Sequence, residues 1–122
     1  MKYLLLLTNH ADHLAQWRAA SDEENRRLRA EEIPKWGEFF SWLEEKGIEA
    51  DGLELDDPKV ARTVRVRDGE TLVTDGPYAE TKEQVGGYFV VECKDLDDAI
   101  EVASRVPVAR RAPVEIRPLV TQ

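Results

Sequence analysis

The stretch Thr74–Glu92, TDGPYAETKEQVGGYFVVE, carries the strongest structural signals in this chain. It opens with Asp75-Gly76-Pro77, which predicts a turn because Gly accepts unusual backbone angles, Pro fixes its own φ, and Asp accepts hydrogen bonds from backbone N–H groups. It closes with an apolar run, which predicts a strand, and Gly86-Gly87 at the start of that run permits a bulge or the close approach of another group. Packing alone does not require the polar side chains between turn and strand, which are Tyr78, Glu80, Lys82 and Glu83.

Two apolar runs predict the centre of a sheet. Residues 2–8 have strand length and end at the polar pair Thr8-Asn9. Residues 87–93 form a second strand, with Tyr88 and Val90 on one face and an apolar set on the other. Because both runs are apolar on both faces, we expect both faces of the sheet to be covered.

A hairpin is predicted before the opening turn. Residues 63–67, TVRVR, alternate at period two, and Asp68-Gly69 is typical of the primed turns that join hairpin strands. Residues 71–74 form the partner strand, which places Arg67 opposite Glu70. The acidic stretch before the hairpin, residues 49–57, is read as a connection closed by Pro58.

Three helices are predicted. A short one covers residues 12–20, and Ser21 with Glu24 forms a capping box for a longer one that ends at Gly47. Pro34 either kinks this helix or begins a second one at its first turn, and the sequence leaves both alternatives open. The apolar stripe expected to pack on the sheet is Ile33, Trp36, Phe40 and Leu43. Asp95 caps the last helix, whose stripe is Leu96, Ala99, Ile100 and Ala103, and residues 114–117 form the final strand.

The order strand, helix, hairpin, strand, helix, strand predicts an α+β fold of the ferredoxin-like type, with an antiparallel sheet and helices on one face. Residues 1–122 fit one domain. The face without helices is apolar, so we expect a second copy of the chain to cover it in a homodimer.

Composition limits the partners. Twenty-five acidic and seventeen basic residues give a net charge of −8, which argues against nucleic acid and against an anionic membrane surface. The one basic cluster, Arg110-Arg111, is read as solvated, with the alternative that it helps to bind an anionic ligand. The opening apolar run is too short for a signal peptide, and the single Cys93 forms no internal disulfide, so we expect a cytoplasmic protein without a membrane span.

The segment Asp75-Gly76-Pro77-Tyr78, followed by AETKE and GGYF, resembles the DGPF signature of the YCII-related family. The resemblance covers almost the whole chain, and Tyr78 stands where the family signature has phenylalanine. It implies a dimeric α+β barrel but no settled activity. It also implies a link to extracytoplasmic-function sigma factors, whose genes often lie beside those of DGPF members. Smaller members are proposed to use a histidine and an aspartate, and Asp75 matches that aspartate.

The candidate catalytic residues are Asp75, as a general base or ligand anchor, and Tyr78, as a hydroxyl donor to a substrate oxygen. Asp75 has a purely structural alternative, an Asx turn. Glu80 and Lys82 are candidate ligand contacts, or else a solvated pair. His10 and His13 share a predicted helical face and are candidate ligand contacts at a pocket rim.

The sequence contains no phosphate loop, dinucleotide fingerprint, nucleophile elbow or zinc spacing, so it predicts no cofactor and no metal site. Three functions follow from these patterns. The first is a protein that binds or transforms a small polar metabolite near the DGPY segment. The second is a noncatalytic regulatory partner of a sigma factor, whose basic surface would meet this acidic chain. The third, a cofactor-independent oxygenase, follows from fold analogy alone.

Overall fold

The computed structural model describes residues 1–121, and this part of the chain forms three α-helices and six strands. In chain order the elements are β1 Lys2–His10, α1 Ala11–Ala19, α2 Asp22–Lys46, β2 Ala50–Glu54, β3 Arg62–Arg67, β4 Glu70–Asp75, β5 Glu83–Glu92, α3 Leu96–Arg105 and β6 Val114–Pro118. Two short 3-10 turns, Pro58–Val60 and Pro107–Arg110, precede β3 and follow α3.

The main sheet has four strands in the order β2-β5-β1-β6, and every neighbouring pair is antiparallel. This is the ferredoxin-like order, so the expected α+β fold is confirmed. In the central register Leu5 lies opposite Phe89 on one side and Ile116 on the other. The two long apolar runs of the sequence are therefore the two central strands.

The hydrophobic core lies between the sheet and the helices. Side chains alternate along β1, so Leu5 is fully buried while its neighbours Leu4 and Leu6 are only half-buried. Phe39 of α2 packs against Phe89 of β5 with their ring centroids 5.9 Å apart. From α3 the buried side chains are Ala99, Val102 and Ala103.

Capping residues define the two ends of α2. Ser21 Oγ accepts the N–H of Glu24 at 3.1 Å, and Gly47 ends α2 in the left-handed region at φ 68°. Helix α2 runs through Pro34 without interruption, which resolves the two alternatives in favour of a single helix.

The two predicted apolar stripes are partly wrong. The buried residues of α2 are Phe39 and Leu43, whereas Ile33 and Phe40 are exposed. The reason is that the sheet lies against the C-terminal half of the helix, on the face that carries Phe39. In α3 the predicted stripe residues Ala99 and Ala103 are buried, but Leu96 and Ile100 are about half exposed.

Two elements differ from the predicted connectivity. Residues 50–54, read as part of an acidic connection, form edge strand β2, which the sequence hides because it pairs through backbone groups and carries few β-forming side chains. The hairpin has the predicted register, with Arg67 opposite Glu70 and positive φ at Asp68 and Gly69. It forms a separate two-stranded sheet instead of joining the main one.

The helix-free face of the sheet carries apolar side chains. Leu4, Leu6, Tyr88 and Val90 are half-buried there, and Leu53 on the neighbouring edge strand is 69% exposed. None of the helices within residues 1–121 combines the length and the apolar composition needed to cross a membrane.

Candidate functional site

Two cavities lie at one end of the main sheet, where β1 ends and β5 begins. There Asn9 pairs with Gln84 and His10 pairs with Glu83, just beyond a register shift after Leu7. A Cβ atom on Gly86 would lie 2.1 Å from Nδ2 of Asn9, so this glycine makes room for the Asn9 amide. Gly86 thus serves the packing of this end of the sheet.

Hydrogen bonds fix the segment that connects β4 to β5. Gly76 adopts φ 88° and donates its N–H to the carbonyl of Ala61 at 2.8 Å, while Thr63 Oγ1 donates to the carbonyl of Gly76 at 2.8 Å. Farther along, the N–H of Ala11 donates to the carbonyl of Lys82 at 2.6 Å. The segment is therefore anchored to the hairpin at one end and to α1 at the other.

The larger cavity, which we call the signature cleft, has a volume of about 470 Å³ and borders this segment. Its apolar walls are formed by Leu55, Pro58, Val60, Ala61, Pro77, Ala79 and Val85. Its polar lining residues are Asp56, Asp57, Tyr78, Thr81, Glu83 and Gln84. Apolar walls with a few polar groups are typical of small-molecule sites, and the volume falls within their usual range of roughly 300–1,000 Å³.

An ion pair controls the charge of one cleft carboxylate. Arg18 of α1 donates to Asp57 through Nε at 2.7 Å and Nη2 at 2.5 Å, and Asp57 Oδ1 also accepts the N–H of Lys59 at 2.9 Å. The hydrogen bonds from Arg18 lower the pKa of Asp57 from 3.8 to about 2, although desolvation opposes the shift. Asp57 is therefore ionised at neutral pH.

The four predicted residues of the connecting segment take different positions. Tyr78 lines the signature cleft and is 83% exposed. Asp75 is the last residue of β4, its side chain is 88% exposed, and its Oδ1 lies 3.1 Å from Nε of Arg62. Glu80 and Lys82 are exposed, line neither cavity and, within residues 1–121, form no ion pair with each other. The structure brings only Tyr78 of these four to a cavity.

The smaller cavity, which we call the histidine cavity, has a volume of about 220 Å³. The residues that line it are Asn9, His10, Asp12, His13, Gln16, Arg111 and Ala112. His10 is the N-cap of α1, and its Nδ1 accepts the N–H of Asp12 at 3.1 Å. Both candidate histidines are therefore together, as their spacing predicts.

The electrostatics of the histidine cavity depend on Arg111. Burial lowers the pKa of His13, the positive charge of Arg111 lowers it further, and Glu32 partly opposes the shift. Glu32 lies between two cations, because Lys35 Nζ donates to Oε1 at 3.1 Å and Arg111 Nη1 lies 3.7 Å from Oε2. Across the part of the chain described, no three side chains of His, Cys, Asp or Glu converge to hold a metal ion.

Sequence reasoning missed two of the important residues. Asp57 was read as part of an acidic connection, although Asp-Pro at residues 57–58 is a known signal for a capped turn. The sequence reads Arg111 as half of a solvated basic pair, with anionic-ligand binding as the alternative, but no local pattern places it beside His13. The packing of the Pro107–Arg110 turn next to β1 makes that connection.

Comparisons with known proteins agree with the resemblance described above. The model of the YCII-related domain matches residues 1–121. The uncharacterized protein R00369 of Rhizobium meliloti (strain 1021) is 34% identical over 125 residues, an alignment that covers 98% of this chain and 92% of that protein.

Proposed function

This chain belongs to the YCII-related family, and we propose that it binds a small metabolite in the signature cleft. The observation that carries the proposal is the position of the cleft. Its walls are apolar, and it is bordered by Pro77 and Tyr78 of the DGPY segment. A ligand there would bury its apolar part against Val60 and Val85 while Tyr78 offers a hydroxyl at the rim.

The charge of the cleft narrows the ligand class. Three carboxylate residues, Asp56, Asp57 and Glu83, line it, and only Asp57 is paired with an arginine among the residues described. The whole chain carries a net charge of −8. Anionic ligands are repelled by this field, so the proposed ligand is neutral or cationic and carries a hydrogen-bond donor beside an apolar body.

The catalytic role of Asp75 stays a prediction from the sequence. Its carboxylate pairs with Arg62 and is not among the groups that line the signature cleft. We infer that Tyr78, which lines the cleft, contacts the ligand directly, and that Asp75, which pairs with Arg62, holds the hairpin end that precedes it. A role for Asp75 in turnover would require its side chain to leave Arg62 when a ligand binds.

A thermal-shift screen tests the proposal, with amines and neutral compounds as the ligands and matched carboxylates for comparison. A compound at a hundred times its Kd stabilises the protein by about 2.7 kcal/mol. We expect Ala61→Phe, which fills the cleft, to abolish the shifts. Val64→Phe, on the exposed face of the adjacent hairpin, is the matched control and should keep them. A screen without hits, or hits that survive Ala61→Phe, would overturn the proposal.

We also infer a homodimer in which the helix-free faces of two sheets pack together. Leu6 and Tyr88 lie opposite each other at the centre of this face, and Leu53 extends the apolar surface to the edge strand. An apolar surface of this kind on two central strands favours association over exposure to water. In a symmetric pair the same patch serves both copies.

A further inference from the structure

We propose that the histidine cavity is a second binding site, separate from the signature cleft, and that it takes a small monocarboxylate held by Arg111. Arginine presents its N–H groups in a planar fork that matches a carboxylate, which makes it the best side chain for this task. The cavity volume of about 220 Å³ suits a ligand of a few heavy atoms. Among residues 1–121, the two cavities share no lining residue.

The charge of Arg111 is not cancelled by its neighbour. Glu32 is shared with Lys35, and its contact with Arg111 at 3.7 Å is longer than a hydrogen bond. Arg111 and Lys35 together carry two positive charges, and Glu32 carries one negative charge. This side of the cavity therefore has an excess of one positive charge. Asp12 is the acid in the cavity lining; its Oδ2 lies 3.6 Å from Nδ1 of His10, but its side chain is 87% exposed, so water screens its charge.

The remaining lining groups fit a ligand with a second polar group. The N–H of Asp12 donates to Nδ1 of His10, so the neutral His10 ring carries its proton on Nε2 and acts as a donor there. His13 shares the cavity with the amide side chains of Asn9 and Gln16, which can both donate and accept. A hydroxy acid such as lactate offers one carboxylate for Arg111 and one hydroxyl for these side chains.

A monoanion fits this field better than a dianion. The single excess positive charge balances one carboxylate, whereas phosphate or sulfate would bring a second negative charge close to Glu32, which lies 3.7 Å from Arg111. The proposed ligand class is thus opposite in charge to the ligand of the signature cleft. The two proposals can fail independently.

The test uses the imidazole signals of the intact protein in NMR spectra. The chain has two histidines and both line this cavity, so their signals report on it alone. We expect sodium lactate, added against sodium chloride at constant ionic strength, to shift the His13 signals in a saturable way. Binding should also raise the pKa of His13, because a nearby carboxylate favours the imidazolium.

Variants of the two adjacent arginines identify the anchor. Arg111→Gln should weaken lactate binding roughly tenfold or more, the effect of losing a hydrogen bond to a charged group. Arg111→Lys, which keeps the charge and loses the fork, should give an intermediate affinity even if the glutamine variant fails to fold. Arg110→Gln is the control, because Arg110 is exposed and lies outside the lining. The proposal is overturned by the absence of a saturable shift at about 100 mM lactate, by equal binding of sulfate, or by equal losses in the Arg110 and Arg111 variants.

Discussion

Arg18 and Asp57 form a two-pronged ion pair that fastens α1 to the wall of the signature cleft. The side chain of Asp57 is only 16% exposed, and it also caps the 3-10 turn that begins at Pro58. One carboxylate thus joins three parts of the fold, namely the first helix, the turn and the cleft. This connection makes the stability of the cleft depend on pH in a defined direction.

We expect Arg18→Gln to lower the melting temperature at pH 7 by roughly 2–4 °C, with the difference disappearing in acid. The lowered pKa of Asp57 contributes stability above its unfolded value of 3.8, and that contribution is lost as the pH falls towards about 2. Circular dichroism melts between pH 7 and pH 2 measure the difference. Arg27→Gln, which removes an exposed pair within α2, is the control and should change little at any pH. A constant difference at all pH values would show that the ion pair is not its source.

Three glycines should respond differently to replacement by alanine. A Cβ on Gly52 would lie 2.0 Å from the carbonyl oxygen of Tyr88, so Gly52→Ala should cost about 1–3 kcal/mol by displacing the edge strand. A Cβ on Gly86 meets only the Asn9 side chain, which can move, so Gly86→Ala should cost less.

The third glycine lies in a helix and supplies the control. Apart from its chain neighbours and the backbone of its own helix, no atom lies within 4 Å of a Cβ built on Gly37 of α2, and Gly37→Ala should stabilise the protein by about 0.5–1 kcal/mol. Urea denaturation of the three variants measures their free energies of unfolding and so gives their order of stability. A gain in stability for Gly52→Ala would contradict the position of β2 against β5.

We expect Leu53→Lys to convert a homodimer into a folded monomer. Leu53 is 69% exposed on the helix-free face, and a lysine there would place like charges near each other across a symmetric interface. Light scattering coupled to gel filtration at micromolar concentration measures the mass. Leu96→Lys, the same substitution at a leucine of α3 that is 48% exposed, should leave the dimer intact. A monomeric wild-type protein would rule out the proposed interface.

Cys93 should be unreactive in the native protein. It is 4% exposed, and burial raises the pKa of its thiol, with Asp98 adding to the shift. The thiolate is the reactive species, so labelling by a disulfide reagent at pH 8 should be roughly tenfold slower or more than in denaturant. Equal rates would mean that the C-terminal end of β5 opens readily in solution.

The fold was predictable where its signals are local. The apolar runs of β1 and β5, the Asp68-Gly69 turn and the caps at Ser21, Gly47 and Asp95 each depend on residues close in sequence. Strand β2 was not predictable in this way, because a short edge strand containing Gly52 is stabilised by its partner β5 and not by its own side chains. The buried face of α2 likewise depends on where the sheet lies beneath it.

The same distinction between local signals and tertiary packing holds for the candidate site. The sequence by itself determined the family, the α+β fold class and the proximity of His10 to His13, because these follow from motifs and spacings within short segments. Only the tertiary structure decided that Tyr78 borders a cleft while Asp75 pairs with Arg62 outside it. It also brought Arg111 to the histidines and Arg18 to Asp57, since pairs so distant in the chain meet only when the sheet and helices have packed.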